Sequence, residues 1–440
     1  MKTAFTTVAI AAGVALAACG SSDQKNFDKS TEYGPSPTLP EPTRGLLPNM
    51  EVPKVVGWQG ETPTVPQGFR IEALATGLAN PRNVYPLPNG DLLVIESKKE
   101  AKEPIERPKR PVMAWVEAKA HGGGGGGPSN RILLLRGEAG AKPAAPSVLI
   151  DHLNAPFGVA LVGDALYVAD TDAILRFPFK AGDTQVGGAP VKVVDLPAGP
   201  INHHWTKSLT ASPDGSKLYV GVGSNSNAME RGLDEEMNRA AIWQVDPSTG
   251  AFKVFASGLR NPNGLTFYPG SDVLWAVVNE RDELGPNLVP DYLTSVKPGA
   301  FYGWPFSYWG QHEDPRVRPQ QPERVKAAIP PDYGLSSHVA PLGLAFYTGK
   351  SFPPQFGGGA FIGEHGSWNR PELNGYKVVF IRFENGRPVG TPMDFVTGFL
   401  KDGQARGRPV GVAVDQAGAL IVADDVGNTV WRVTSNSATP

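Results

Sequence analysis

From about residue 67 onward the chain is written in short apolar runs, each bounded by Gly, Pro, Asn or Asp. LLVI at 92–95, ALYVA at 165–169, LYVGV at 218–222, LWAVV at 274–278 and LIVA at 420–423 are examples. Runs this short, rich in β-branched and aromatic residues and closed by turn formers, predict strands. No stretch carries a convincing amphipathic helical pattern. The runs also recur as a block: an opening with Pro and Gly, a strand, a turn with Gly or Asp, a second strand, a polar loop and a third strand. Six such units begin near Pro81, Pro156, Lys207, Pro262, Pro341 and Pro409. A small sheet cannot cover both of its faces, and radial stacking of repeated sheets solves that while protecting their edges. The expectation is an all-β protein, a six-bladed β-propeller over residues 67–436. A two-sheet sandwich is the alternative, but its strands need not repeat as a block.

Two insertions interrupt the repeat. Residues 98–128 hold a mixed-charge run and then six glycines at 122–127, the composition of a mobile loop. Residues 304–337 carry Trp304, Tyr308 and Trp309, aromatics suited either to lining a sugar site or to packing the loop onto the sheets.

Ahead of the repeat the pattern changes. Lys2 precedes an apolar run from Ala4 to Ala18, ended by Leu16-Ala17-Ala18-Cys19, and Cys19 is the single cysteine of the chain. This resembles a bacterial lipoprotein signal, with residues 1–18 removed and Cys19 lipidated; a plain secretory signal is the alternative. The expected location is periplasmic and lipid-anchored, at the outer membrane, with Gly20 after the cysteine compatible with that sorting. Residues 19–66 are polar and Pro-rich and read as a disordered tether. Lys plus Arg number 41 against 43 Asp plus Glu in 440 residues, so no net field points to nucleic acid or to an anionic membrane surface. Contact with a membrane is expected only through the lipid.

Reactive residues gather where polar loops meet strands. Asn202, His203, His204 and Lys207 precede the third unit, and Arg260-Asn261 the fourth. Residues 280–286, ERDELGP, follow an apolar run, and the carbonyls of Gly285 and Pro286 suit a hard cation such as Ca2+. His338, then residues 364–370 (EHGSWNR), then Arg406 and Arg408 complete the set. Zinc spacings, a G-x-S-x-G elbow and a dinucleotide-binding glycine motif are missing. Cations, a histidine base and a calcium candidate together suit a cofactor bearing several carboxylates.

In GLRNPNGLTF (258–267), the Gly-Pro loop followed by FYGWP (301–305), GEHGSWNR (363–370) and the stretch 407–433, the chain resembles the pyrroloquinoline-quinone (PQQ)-dependent soluble sugar dehydrogenases. Within them it is most similar to the L-sorbosone dehydrogenase-like branch. The resemblance implies oxidation of an aldose or sugar aldehyde, with PQQ and Ca2+ as cofactors and an external quinone or cytochrome as electron acceptor. It places the catalytic base on His204, where His203 replaces the preceding acidic residue of the glucose enzymes. Cofactor contacts fall on Arg260, Asn261, Arg406 and Arg408, and the calcium carbonyls on Gly285 and Pro286. His338 aligns with a cofactor-touching threonine, and Ser367 and Arg370 align loosely with a lysine. Lys207 and Asn154 join the cofactor-binding set. A Ca2+-dependent propeller lactonase and a non-catalytic sugar- or protein-binding propeller are the alternatives that fold alone does not separate.

Overall fold

Each predicted unit forms an antiparallel sheet. The structure, a computed structural model, describes residues 26–43, 51–99, 129–137 and 145–436. Among these, six sheets carry four or more strands. The first runs Pro81–Pro86, Leu92–Glu96, Arg131–Leu135 and Ser147–Ile150; the second Gly158–Val162, Ala165–Ala169, Ala173–Pro178 and Val191–Asp195; the third Leu209–Ala211, Leu218–Val222, Ala241–Val245 and Phe252–Ser257. The fourth runs Asn261–Phe267, Leu274–Asn279, Pro290–Ser295 and Tyr333–Ser337, and the fifth Pro341–Phe346, Ala360–Glu364, Lys377–Glu384 and Arg387–Val396. The sixth takes Pro409–Val414, Leu420–Asp424 and Thr429–Ser435 from the end of the chain and Phe69–Thr76 from its beginning. Long-range pairing of the two chain regions thus completes the last sheet.

The leading strand of each sheet packs beside the leading strands of its neighbours, and the sixth returns to the first, giving a closed, propeller-like ring. The approach is close enough to exclude side chains. A Cβ on Gly343 would lie 2.2 Å from the Val410 carbonyl oxygen, and one on Gly158 2.2 Å from the Leu209 nitrogen. That contact accounts for the Pro-x-Gly triplets at 156–158, 262–264, 341–343 and 409–411. Between neighbouring sheets the alternating apolar residues interdigitate, so the core is divided into slabs. Leu93, Ile95, Ile132 and Leu134 of the first sheet meet Val159, Leu166 and Val168 of the second. Val94 and Leu133 meet Ile421 and Val430 where the ring closes. Each fully buried side chain of this kind stabilises the fold by about 1.5–3 kcal/mol.

The disordered tether expected over residues 19–66 is not what the described part of it shows. Tyr33–Gly34 adds a fifth strand to the fourth sheet, pairing with Leu335 and Gly334, and Glu32 beside it is fully buried. Lys54–Val55 pairs with Gln404–Ala405, and Thr64 bridges Thr397. Trp58 packs edge-on against Phe399 and Trp431 and donates from Nε1 to Asp424 Oδ2 at 2.6 Å. A Pro-rich segment has too little apolar area for a core of its own, but here its backbone completes sheet edges and single side chains fill gaps between them. Cys19 and the signal lie outside the described residues, as does most of the insertion at 98–128. The other insertion packs down: Trp304, Tyr308 and Trp309 are buried, and Pro322–Ala327 is the one α-helix among the described residues. No helix among them is long and apolar enough to cross a membrane.

Candidate functional site

The strands of the third and fourth sheets bring His204, Asn261 and Arg260 together. Gly223, at the end of the second strand of the third sheet, lies against both His204 and Asn261; a Cβ there would come 2.5 Å from His204 Cβ and from Asn261 Oδ1. His204 Nδ1 is 2.8 Å from the Ser224 carbonyl oxygen. A carbonyl only accepts, so Nδ1 carries the proton and Nε2 keeps its lone pair. Burial, then the charges of Arg260 and His203, hold the imidazole well below its ordinary pKa of 6.5, against the Ser224 hydrogen bond, which raises it. The ring is therefore a neutral acceptor at physiological pH. His203 packs edge-on to it, with ring centroids 4.6 Å apart.

Arg260 is buried and directs its guanidinium at protein acceptors. Nε donates to the Asn227 carbonyl, Nη1 to the Asn279 and Glu280 carbonyls, and Nη2 to Asn227 Oδ1 and to Asp282 Oδ2 at 3.1 Å. Burial alone would raise the Asp282 pKa, but Arg260 and His338 outweigh it and keep the carboxyl ionised, below the usual range. The same Asp282 accepts from Asn369 Nδ2, which also faces His338 Nδ1. His338 Nε2 donates to the Gly285 carbonyl at 3.0 Å. One network thus joins Arg260, Asp282, Asn369, His338 and Gly285.

Arg408 stands beside a second group. It donates to the His365 and Gly366 carbonyls and lies over the Tyr376 ring at 5.1 Å. His365 Nε2 is 3.0 Å from both Asp425 oxygens, and Asp425 also takes Arg82, which lies 5.3 Å from the centre of the Trp205 ring. Ser367 is buried in the same loop, its hydroxyl accepting from the Asn374 amide.

Other expected residues are committed to protein partners. Arg370 pairs with Glu32 and donates to Asn287 Oδ1, and Arg406 forms an ion pair with Glu61. Lys207 is fully buried, its Nζ 3.2 Å from the Trp205 carbonyl, and burial lowers its pKa well below 10.5. Asn154 is exposed, and its backbone alone is engaged, the amide donating to Asp170 and the carbonyl accepting from the Thr171 amide. Asp282, Asn227, Arg82 and Asp425 carried no separate signal in the sequence, although Asp282 lies in the acidic loop just ahead of Gly285.

These features define a class: an all-β, propeller-like protein with a neutral histidine and buried cations where its inner strands begin. The family model for Glucose / Sorbosone dehydrogenase matches residues 168–430, and the chain belongs to that family. It is 32% identical over 241 residues to an uncharacterized protein of Borreliella burgdorferi, across 54% of this chain and 62% of that one. With the aldose sugar dehydrogenase YliI of Escherichia coli it is 30% identical over 110 residues, 25% of this chain and 28% of that one. The chain thus matches less than two thirds of the length of either relative. In fold it is similar to the holo form of the pyranose dehydrogenase PQQ domain from Coprinopsis cinerea, with a TM-score of 0.68 at 18% identity over 88% of this chain and 100% of that one.

The site offers a ligand of this kind one open acceptor and a positive field. Asn261 Oδ1 is buried and makes no hydrogen bond, and the cations of Arg260 and Arg239 act on His204 at the same place. No cluster of three acidic, histidine or cysteine side chains suited to a metal occurs among the described residues, so a cation here would rest on backbone carbonyls such as those of Gly285 and Pro286, and on water.

Proposed function

We propose that the protein is a PQQ-dependent oxidoreductase acting on an aldose or sugar aldehyde of the glucose or sorbosone kind, built as a six-bladed β-propeller with its site at one mouth of the ring. One observation carries the reading: His204 is neutral, fixed by Ser224 in the tautomer that leaves Nε2 basic, beside a buried arginine and an unpaired amide oxygen. Asn261 and Arg408 would contact the cofactor, Arg260 would add its positive charge while its N–H groups stay on protein acceptors, and the Gly285 and Pro286 carbonyls would hold its Ca2+. When bound, the quinone supplies the acceptor for the two electrons leaving the substrate carbon. His204 Nε2 takes the substrate hydroxyl proton, and the cations around it favour the negative charge that the reaction generates. Membership of the dehydrogenase family and the similarity to an aldose sugar dehydrogenase support the substrate class. A lipid on Cys19 would anchor the protein in the periplasm at the outer membrane, and an external quinone or cytochrome would take the electrons onward.

The experiment is reconstitution. Apo-protein treated with EDTA should be inactive with aldoses and a dye acceptor, and Ca2+ plus PQQ should restore turnover. Activity that survives exhaustive chelation, or that runs on NAD instead, overturns the assignment. Fractionation of the same cells reports on the anchor, which is wrong if Cys19→Ser protein stays with the membranes.

A further inference from the structure

Residues 26–43 lie outside the matched family region, yet they reach the loops that bear the proposed site. Glu32 is fully buried. Its carboxylate accepts from the Ser336 hydroxyl, from the Ser337 amide, and from both terminal nitrogens of Arg370, at 3.2 and 3.3 Å. Arg370 in turn donates to Asn287 Oδ1 at 2.8 Å and to the Ser337 carbonyl at 3.0 Å. Each partner adjoins a residue already singled out: Asn287 follows Pro286, Ser337 precedes His338, and Arg370 follows Asn369. The Thr43 amide adds a bond to the Leu284 carbonyl, one residue before Gly285.

The turn that Glu32 grips is strained. Ser336, His338 and Ala340 have φ of 82°, 63° and 52°, left-handed values that side-chain-bearing residues seldom adopt. Such a residue is energetically costly and persists only where its surroundings hold it. Glu32 holds the near side through Ser336 and Ser337, and Asp291 the far side through the Ala340 amide at 2.8 Å. The carboxylate also neutralises Arg370, whose side chain is buried. Without that charge a buried cation is left uncompensated.

We infer that Glu32 is a positioning residue of the site, fixing the Gly285–Pro286 loop and the His338 turn through Arg370 and the two serines. The part of this inference that concerns calcium rests on the proposed function. The N-terminal segment is then a working part of the site and not a spacer.

The test uses the full chain carrying Glu32→Gln, with Arg432→Met as a control that breaks a buried ion pair in the sixth sheet, to Asp415. Amide hydrogen exchange should quicken at 284–290, 336–340 and 367–371 in Glu32→Gln, and not in the control. The dissociation constant for Ca2+, measured by calorimetry on apo-protein, should rise about 10- to 100-fold, the usual effect of losing a group that orients metal ligands. The double variant Glu32→Ala/Arg370→Ala removes the stranded charge and should recover thermal stability without recovering Ca2+ affinity. Unchanged exchange in those three segments overturns the inference, as does an equal loss of Ca2+ affinity in Arg432→Met. A wild-type chain that binds neither Ca2+ nor PQQ counts against the proposed function, while the exchange data still decide the role of Glu32.

Discussion

At the scale of single residues, His204 shows how a fold fixes one tautomer of a common side chain. Its Nδ1 is committed to the Ser224 carbonyl, and its charge is suppressed by burial and by Arg260, so Nε2 remains the basic atom. The proposed function therefore makes a defined claim about substitution. His204→Gln should lower turnover by about 10²- to 10⁴-fold, the usual worth of a positioned acid-base group. Quinone affinity should change little, since Arg260, Asn261 and Arg408 are untouched. His203→Gln should cost less, because His203 meets the base only edge-on. Single-turnover quinone reduction and melting temperature separate the cases: a His204→Gln protein that is less stable but reduces the quinone at the wild-type rate would mean a structural histidine only.

At the scale of elements, the repeat and its one irregularity both have physical causes. In five sheets the second strand ends on or next to a buried acid: Glu96, Asp170, Glu280, Glu364 and Asp424. Several of these bind a backbone amide of the loop leading into the inner strand, as Glu96 does with Ala79 and Asp170 with Asn154. The third sheet has Gly223 and Ser224 there, and the space left by the missing side chain is where His204 meets Asn261. A comparison of the repeats position by position would have found that break without any family resemblance. The strands were legible because burial of both faces between apolar slabs writes short, unbroken apolar runs into the sequence, and Pro-x-Gly is the mark of strands in contact at the ring. The N-terminal segment was not legible. Its attachments are single side chains, Glu32 and Trp58, and two-residue strands, none of which leaves a periodic trace. Arg370 and Arg406 were assigned to the cofactor without their acidic partners, Glu32 and Glu61, which lie in that same segment. If the break at Gly223 makes the room for the base, Gly223→Ala should displace His204 and Asn261. A destabilisation of about 1–3 kcal/mol is expected for such overpacking, with a fall in turnover larger than the lost folded fraction explains. Denaturant unfolding and turnover measured on one preparation check both, and an alanine variant matching wild type in each would refute the close approach.

At the scale of the whole molecule, closing a ring of sheets surrounds carboxyls with apolar slabs, and this ties stability to pH. Burial raises Asp170, Glu280 and Asp424 to about 7, Asp291 to about 6 and Glu364 to about 8. Glu364 is the simplest to isolate, since its Oε2 has no hydrogen-bond partner and burial dominates over the opposing charge of Lys377. Its ordinary value is 4.5, so between that pH and about 8 the folded chain keeps a proton that the unfolded chain has released. A group raised in this way contributes stability that is fully present below its unfolded pKa and is lost as pH climbs through the folded one. Over that window the slope is about 1.4 kcal/mol per pH unit for one proton. Other groups act on the absolute profile in the opposite sense: burial lowers His365 to about 4 and Lys207 well below 10.5, and the stability they cost grows as pH falls. The comparison that isolates Glu364 is a difference between two chains. Glu364→Gln carries no proton in that window, so its stability relative to wild type should rise as pH goes from 5 to 8 and level off above that. Urea unfolding of both proteins at unit pH intervals gives the difference directly, and two parallel profiles would show that Glu364 is ionised in the folded state.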